Sequence, residues 1–283
     1  FRDGQYIATK TMSKITQTEL VQMMVGREIT HLFPKVDIPI GNVVLEVDGQ
    51  VRVGAKHPVN FTVHKGEILG FCGLMGAGRT EIMQTLFGIQ KKHAGKVFLH
   101  GREIHIGSTK DAIRHKLAMV TEDRLRRGAI HRLPVRLNMS LSYLEKICTL
   151  GFVRLRREAS DVESMVGKMK IKVSSHAQEI GTLSGGNQQK VIIAKWLLTE
   201  PEVLILDEPT RGIDVGAKAE IYKLIGALAS EGKAILFVSS ELPELLGLCE
   251  RILVVNNEQI VGEFNRTEFS QEALMARAFK VEV

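Results

Sequence analysis

The sequence lacks the features that define several classes of protein. No run of about 18 apolar residues, the length that a membrane-spanning helix needs, occurs in its 283 residues, although 44% of them are hydrophobic. Three cysteines, far apart and odd in number, exclude a complete disulfide framework and a cysteine-rich zinc site, and are typical of a reducing compartment. The histidines show no metal-ligand spacing, so we expect no transition-metal site. No basic and then apolar signal segment follows Phe1, and we expect the sequence to be part of a longer chain.

Aromatic residues are also scarce, at 5%, and they form no RNA-binding motif. The net charge is +6, and part of the basic excess lies in two arginine clusters. These clusters could contact phosphate, nucleic acid or a membrane surface, or could lie on a solvated loop and a helix start. They comprise Arg124, Arg126, Arg127, Arg132 and Arg136, and then Arg154, Arg156 and Arg157.

The two ends of the sequence resemble each other. Residues 1–24 and 255–278 each have the pattern of two short strands and an amphipathic helix. Three identical pairs keep the same offset: Gln5 and Gln259, Gln17 and Gln271, and Leu20 and Leu274. A repeat of this length predicts tandem domains. We therefore interpret residues 1–27 as the tail of a preceding homologous domain, 28–42 as a linker marked by two prolines, and 43–283 as the main domain.

Apolar runs alternate with helical patterns through the main domain, which predicts an α/β fold with a largely parallel sheet core. The predicted strands are 43–47, 61–73, 117–121, 203–207, 234–239 and 251–255. Helices are expected after Gly78, Ser184, Gly216 and Glu241.

A glycine-rich loop, GLMGAGRT at 73–80, follows one of these strands and precedes a helix. Its spacing is that of a phosphate-binding loop, in which glycines turn backbone N–H groups toward an anion, but Arg79 stands where lysine is expected. Thr80 would supply a hydroxyl to Mg²⁺. On its own the loop could equally be an ordinary turn. The predicted nucleotide-binding residues are Gly73, Gly76, Ala77, Gly78, Arg79, Thr80 and Glu81.

Two further motifs favour the phosphate-loop interpretation. The strand LILD ends in Asp207 and Glu208, where the first carboxylate could hold Mg²⁺ through water and the second could orient or deprotonate an attacking water. LSGGNQ lies upstream and opens a helix with a second phosphate-binding end, although a turn and a helix cap would give a similar pattern. Its residues are Ser184, Gly185, Gly186, Asn187 and Gln188.

Together these motifs resemble the ABC ATPase family over residues 43–283. LSGGN resembles its signature motif, LILDEPT its Walker B segment, and RGID, ending in Asp214, its D-loop. GLMGAGRTE, VTEDRLRRG and DEPTRGIDVGAK are similar to the second, C-terminal cassette of tandem ATPases that import ribose, galactose or xylose. The resemblance implies a P-loop NTPase fold with a mixed, largely parallel sheet core, an antiparallel β subdomain and a helical signature subdomain at about 122–190.

The resemblance also implies partners and a mechanism. ATP and Mg²⁺ would lie between the phosphate loop of one cassette and the signature motif of another, so that ATP closes the pair and hydrolysis opens it. The partners would be the first cassette of the same polypeptide, membrane permease subunits and, indirectly, a sugar-binding protein, with no nucleic acid. The location would be cytoplasmic, peripheral on the inner face of the membrane.

Of the three predicted catalytic positions, one keeps the residue typical of the family and two do not. Glu208 is retained, whereas Glu122 stands where the Q-loop usually has glutamine and Ser240 stands where the switch histidine is expected. Residues 51–57 contain no aromatic side chain that could stack on adenine. We predict a degenerate own site, weak or inactive alone as an ATPase, with an intact signature motif that completes the partner site. The alternatives are a soluble ABC-type ATPase that acts on the ribosome or nucleic acid, which the short linker disfavours, and a purely structural cassette.

Overall fold

The computed structural model describes residues 6–11, 15, 33 and 39–279, without the side chain of Leu125. Most of the predicted tail and most of the predicted linker therefore lie outside the described residues. Within the described part of the chain, no helix has the length and apolar character needed to cross a membrane.

Twelve strands and nine α-helices occupy the described range. The strands are β1 Val43–Arg52, β2 Val59–His64, β3 Ile68–Cys72, β4 Lys92–Leu99, β5 Arg102–Ile104, β6 Leu117–Val120, β7 Cys148–Thr149, β8 Phe152–Val153, β9 Val203–Asp207, β10 Ala234–Val238, β11 Arg251–Asn256 and β12 Gln259–Asn265. The helices are α1 Arg79–Leu86, α2 Thr109–Arg114, α3 Val135–Ser140, α4 Leu144–Ile147, α5 Leu155–Lys168, α6 Gly185–Leu197, α7 Val215–Ser230, α8 Leu242–Leu248 and α9 Gln271–Ala278.

A six-stranded sheet forms the centre of the fold, in the order β12-β11-β3-β10-β9-β6. All its neighbouring pairs are parallel except β11 and β12, so the predicted mixed, largely parallel core is confirmed. Alternate residues of β9 enter two separate hydrophobic clusters, Leu204 and Leu206 on one face and Val203 and Ile205 on the other. Because both faces are covered, the inner strands are continuous apolar runs.

An antiparallel four-stranded sheet, β2-β1-β4-β5, lies beside the second cluster. The prediction of one strand over 61–73 is wrong, because the chain turns between β2 and β3 and these strands belong to different sheets. Gly66 in that turn has a φ of 80°, which side-chain-bearing residues rarely adopt. β2 alternates apolar and polar residues and β3 is a continuous apolar run, and because both patterns are typical of strands, the pattern alone did not separate them.

Helices α3 to α5, the short β7–β8 hairpin and the first half of α6 lie within 122–190, the region predicted as a helical subdomain. Met139 of α3, Val162 of α5 and Val191 of α6 pack in the first hydrophobic cluster. Outside this region, the helices expected after Gly78 and Glu241 begin as predicted, and the one expected after Gly216 begins at Val215.

The parallel strands also determine where the sequence motifs lie in the fold. Ligands bind in open α/β sheets outside the carboxyl ends of the strands, where the following loops meet. The carboxyl ends of β3, β9 and β10 lead into the glycine-rich loop, the Asp207-Glu208 pair and the segment 239–241. Since β10 pairs with both β3 and β9, these three loops lie at one edge of the sheet.

Candidate functional site

The glycine-rich loop 73–80 connects β3 to α1 and has the backbone that its glycines predict. Gly76 and Gly78 have φ of 78° and 93°, in the left-handed region. A Cβ at Gly73 would lie 2.5 Å from the carbonyl oxygen of Val255, so only glycine fits there. Ala77 is buried and its N–H donates to the carbonyl of Leu74 at 3.0 Å.

Helix α1 begins at this loop without a side-chain cap. The first turn of a helix leaves N–H groups without intrahelical partners, and together with the helix dipole these groups bind anions. Helix α6 likewise has no side-chain cap at Ser184, whose hydroxyl accepts from the Asn187 side chain at 3.0 Å. Asp214 differs, because it caps α7 by accepting from the N–H of Ala217 at 2.9 Å.

Arg79 is turned toward the chain's own carboxylate. One guanidinium nitrogen donates to the carbonyl of Ser239 at 2.6 Å, and another lies 3.6 Å from Glu208. The Arg79 and Glu208 side chains are only 11% and 9% exposed, so the ion pair is shielded from water. A planar, forked guanidinium can make both contacts at once, which a lysine ammonium with its single nitrogen cannot reproduce in the same geometry.

Thr80 and Asp207 are in contact, with the hydroxyl of Thr80 donating to Oδ1 of Asp207 at 3.2 Å. The other carboxylate oxygen, Oδ2, is buried and has no hydrogen-bond partner among the described residues. Burial raises the pKa of Asp207 to about 7. A buried carboxylate oxygen without a donor, beside a hydroxyl, is a set of hard oxygen ligands that suits Mg²⁺.

Glu208 and Ser240 are also brought together. The hydroxyl of Ser240 donates to Oε2 of Glu208 at 3.1 Å. The backbone of Glu208 has a left-handed φ of 47°, and its N–H bonds to the carbonyl of Val238 at 2.9 Å. Burial raises the pKa of Glu208. A mostly buried carboxylate with a raised pKa, beside the predicted phosphate loop, is suited to act as a general base.

Glu122 forms an ion pair with Arg211, the first residue of the predicted D-loop. Both residues line a cavity of about 680 Å³ that also contains Thr80 and Glu81. The negative charge of Glu122 is therefore neutralised within the chain. The predicted Q-loop and D-loop segments are joined across the cavity.

The signature residues do not line this cavity. Gly186 packs so closely on α7 that an added Cβ would lie 2.5 Å from Cβ of Ala217. The amide of Gln188 donates to the carbonyl of Leu183 at 2.9 Å. Arg124, from the first arginine cluster, donates to the carbonyl of Gly185 at 3.1 Å and so connects the segment after Glu122 to the signature motif.

Sequence reasoning missed two supports of the site. Glu258, at the turn between β11 and β12, donates its N–H to the carbonyl of Ala77 at 2.8 Å and forms an ion pair with Arg52. Glu244 of α8 is 1% exposed and accepts from Thr210 and Ser239. Neither belongs to a recognisable motif, and only their long-range contacts identify them.

The fold and the site define the chain as an ATP-binding cassette. The structure is similar to that of a nucleotide-free ATP-binding cassette from an ABC transporter, with a TM-score of 0.70 and 19% sequence identity, and the match covers 83% of this chain and 98% of that one. This likeness confirms the predicted fold class. A family model described as ABC transporter matches residues 56–211, and the chain belongs to this family.

Two relatives refine the comparison. A ribose/galactose/methyl galactoside import ATP-binding protein of Geobacillus kaustophilus is 49% identical over 98% of this chain and 55% of its own length. A galactose/methyl galactoside import ATP-binding protein of Sodalis glossinidius is 46% identical, again over 98% of this chain and 55% of its own length. The chain thus spans about half the length of the curated relatives it matches.

Proposed function

We propose that the chain is the second cassette of a tandem sugar importer and couples ATP binding and hydrolysis to transport. The uncapped start of α1 beside the buried Asp207 carries the nucleotide-binding part of this proposal. The relatives named for ribose, galactose and methyl galactoside import support a sugar as the cargo.

The chain's own residues have distinct roles in this proposal. N–H groups of the loop 73–80 and of the first turn of α1 bind the phosphates. Thr80 and Asp207 would hold Mg²⁺, which neutralises phosphate charge when it is bound. Glu208 orients the attacking water, and the hydroxyl of Ser240 holds the Glu208 carboxylate in place.

The site is degenerate in this proposal because its charged groups already satisfy one another. A phosphate can recruit Arg79 only by competing with Glu208 and the carbonyl of Ser239. Glu122 can approach the metal only after it leaves Arg211. Ser240 offers a neutral hydroxyl where a histidine would offer a larger group that can be protonated. These features favour weak binding and slow hydrolysis in this half.

The signature motif, by contrast, would serve a partner. The start of α6 is uncapped and its signature residues do not line the chain's own cavity, so its N–H groups can bind a nucleotide held by another cassette. The repeat between 1–24 and 255–278, together with coverage of about half of each relative, supports a first cassette before this one. Residues 1–27 would then be the tail of that cassette, 28–42 the linker and 43–283 this domain.

Membrane permease subunits would receive the motion, with the cassette peripheral on the cytoplasmic face and a sugar-binding protein as an indirect partner. A cavity of about 480 Å³ lies between α2 and residues 141–146. Its lining is largely apolar, with Ile113 and Leu144 in the lining, and it includes the basic residues Lys110, Arg114 and Lys146. This combination suits a short, amphipathic permease helix, with the charges setting its orientation.

This proposal is tested by measuring Mg-ATP binding and turnover for the wild-type chain and for the variant Arg79→Lys. We expect the wild-type chain to bind Mg-ATP and to release little phosphate. The lysine cannot make both contacts of Arg79, so its cation becomes available to phosphate and the Mg-ATP affinity should rise by up to about tenfold. Turnover should remain slow because Glu122 and Ser240 are unchanged. Calorimetry and phosphate release measure the two quantities.

The variant Glu208→Gln is the control for this experiment. Robust wild-type turnover that Glu208→Gln abolishes would show that Arg79, Glu122 and Ser240 form a working site, and the degenerate interpretation would then be wrong. Binding without any turnover would favour the purely structural cassette. A chain that binds no Mg-ATP at all would contradict nucleotide binding in this half.

The second candidate function, action on a ribosome or nucleic acid, has the arginine clusters in its favour. Salt separates the two candidates, because binding to phosphate backbones weakens steeply as ionic strength rises. We expect the protein that contains this chain to co-purify with a membrane permease and to show no salt-dependent binding to RNA. Tight, salt-sensitive RNA binding without a permease would overturn the sugar-import proposal.

A further inference from the structure

A buried carboxylate that the proposed mechanism does not use lies behind the site. Glu244, in the first turn of α8, is 1% exposed. Its Oε1 accepts from the hydroxyls of Thr210 at 2.6 Å and Tyr222 at 2.5 Å, and from the ammonium of Lys218 at 3.2 Å. Its Oε2 accepts from the hydroxyl of Ser239 at 2.7 Å. Burial of a carboxylate is costly, and donors that satisfy both oxygens in this way offset that cost.

Two of these donors belong to the loops that carry the site. Thr210 lies two residues after Glu208, in the turn that follows β9. Ser239 directly precedes Ser240 at the end of β10, and its carbonyl accepts from Arg79. One side chain thus binds the Walker B loop with one oxygen and the Ser240 loop with the other.

Helix α7 supplies the other two donors to the Glu244 carboxylate. Tyr222 and Lys218 extend from α7, and the ring of Tyr222 packs against Phe33 with centroids 5.1 Å apart. The N–H of Glu241 donates to the hydroxyl of Ser239 at 3.0 Å, which extends the network along the second loop. A hydrogen-bonded network that is fully satisfied in a low-dielectric interior is rigid, so its members move together.

We propose that Glu244 is a positioning residue that couples the loop carrying Glu208 to the loop carrying Ser240, so that a shift of either loop is passed to the other. The coupling itself requires no nucleotide. Its consequence for the γ-phosphate rests on the proposed function: contact of the Ser240 loop with ATP would set the position of Glu208, and ADP would not do so.

Hydrogen exchange of the nucleotide-free chain tests the coupling first. In Glu244→Gln one acceptor oxygen becomes an amide donor, so at least one loop loses its bond. We expect the amides of 208–213 and of 239–242 to exchange about tenfold faster, the size expected for a lost hydrogen bond to a charged acceptor. Glu67→Gln is the matched control, because Glu67 is also 1% exposed and pairs with Arg251 at 2.9 Å at the opposite end of β3. It should leave both segments unchanged relative to the rest of the chain.

Single substitutions then show whether the effect crosses from one loop to the other. Thr210→Val removes a donor in the first loop and should speed exchange in 239–242. Ser239→Ala should speed exchange in 208–213. Acceleration confined to the substituted loop, or spread evenly over the whole chain with the loss of global stability, would overturn the coupling.

Nucleotide affinities supply the second readout. Glu244→Gln should reduce the affinity for Mg-ATP about tenfold and leave the affinity for Mg-ADP unchanged, because only the γ-phosphate reaches the coupled loops. A purely structural role would lower both affinities together, and that result would overturn the γ-phosphate part of the inference. If the wild-type chain binds neither nucleotide, the proposed function fails, and the exchange measurements still decide the coupling.

Discussion

Gly78→Ala is expected to lower the affinity for Mg-ATP about 100-fold, or about 2.7 kcal/mol, and to lower the stability of the chain. Gly78 has a φ of 93°, where a residue with a Cβ is strained by about 1–2 kcal/mol. The new Cβ would also lie 2.2 Å from Cγ of Glu258 and 3.0 Å from its backbone nitrogen. The loop 73–80 must therefore move from the conformation that directs its N–H groups at phosphate.

Glu258 cannot easily move to accommodate the new methyl group. Its N–H donates to the carbonyl of Ala77, and its two carboxylate oxygens accept from Nε and Nη2 of Arg52. Gly101→Ala is the control, because Gly101 has a φ of 74° and nothing lies within 4 Å of its added Cβ. This variant should show the conformational strain alone, with normal nucleotide affinity. Calorimetry and thermal unfolding measure both variants, and wild-type affinity in Gly78→Ala would contradict this account of the loop.

The general layout of the fold was predictable from the sequence because it rests on local, repeated signals. Strands buried on both faces appear as apolar runs, and β9 and β10 were located within one residue at each end. The division between β2 and β3 was not predicted, since two strands joined by a tight turn can have a sequence pattern close to that of one long strand. The glycine in that turn was the available signal.

The site was predictable as a set of positions and not as a set of contacts. The sequence identified Arg79, Glu122 and Ser240 as departures from the family pattern. It could not show that Arg79 would turn to Glu208, or that Glu122 would pair with Arg211, because these partners are brought together only by the sheet. Side-chain pairs between distant loops depend on three-dimensional geometry, and a single sequence contains no record of them.

Asp207→Asn is expected to stabilise the metal-free chain and to weaken its binding of Mg-ATP. Burial raises the pKa of Asp207 to about 7, whereas an aspartate in an unfolded chain ionises near pH 4. Between these values the folded chain holds a proton that the unfolded chain has released, so this carboxyl makes stability fall as pH rises from about 4 to about 7. Above pH 7 the full penalty is present, on the order of 4 kcal/mol. Asparagine is uncharged and has no such penalty. The amount by which Asp207→Asn is more stable than the wild type should therefore grow from about pH 4 to about pH 7 and then level off.

Urea unfolding with a chelator, at several pH values from 5 to 8, measures the stability difference between Asp207→Asn and the wild type. Mg-ATP affinity should fall roughly 10- to 100-fold in the same variant, as for the loss of a group that holds a metal through water. Glu250→Gln is the matched control: burial also raises the pKa of Glu250 to about 7, but its carboxylate accepts from the N–H of Ile68, at the opposite end of β3 from the loop 73–80. It should gain stability with the same pH dependence and bind Mg-ATP normally. Two results would contradict the proposed role of Asp207 in metal binding. One is an Asp207→Asn variant that is less stable than the wild type at pH 8, and the other is a variant with undiminished Mg-ATP affinity.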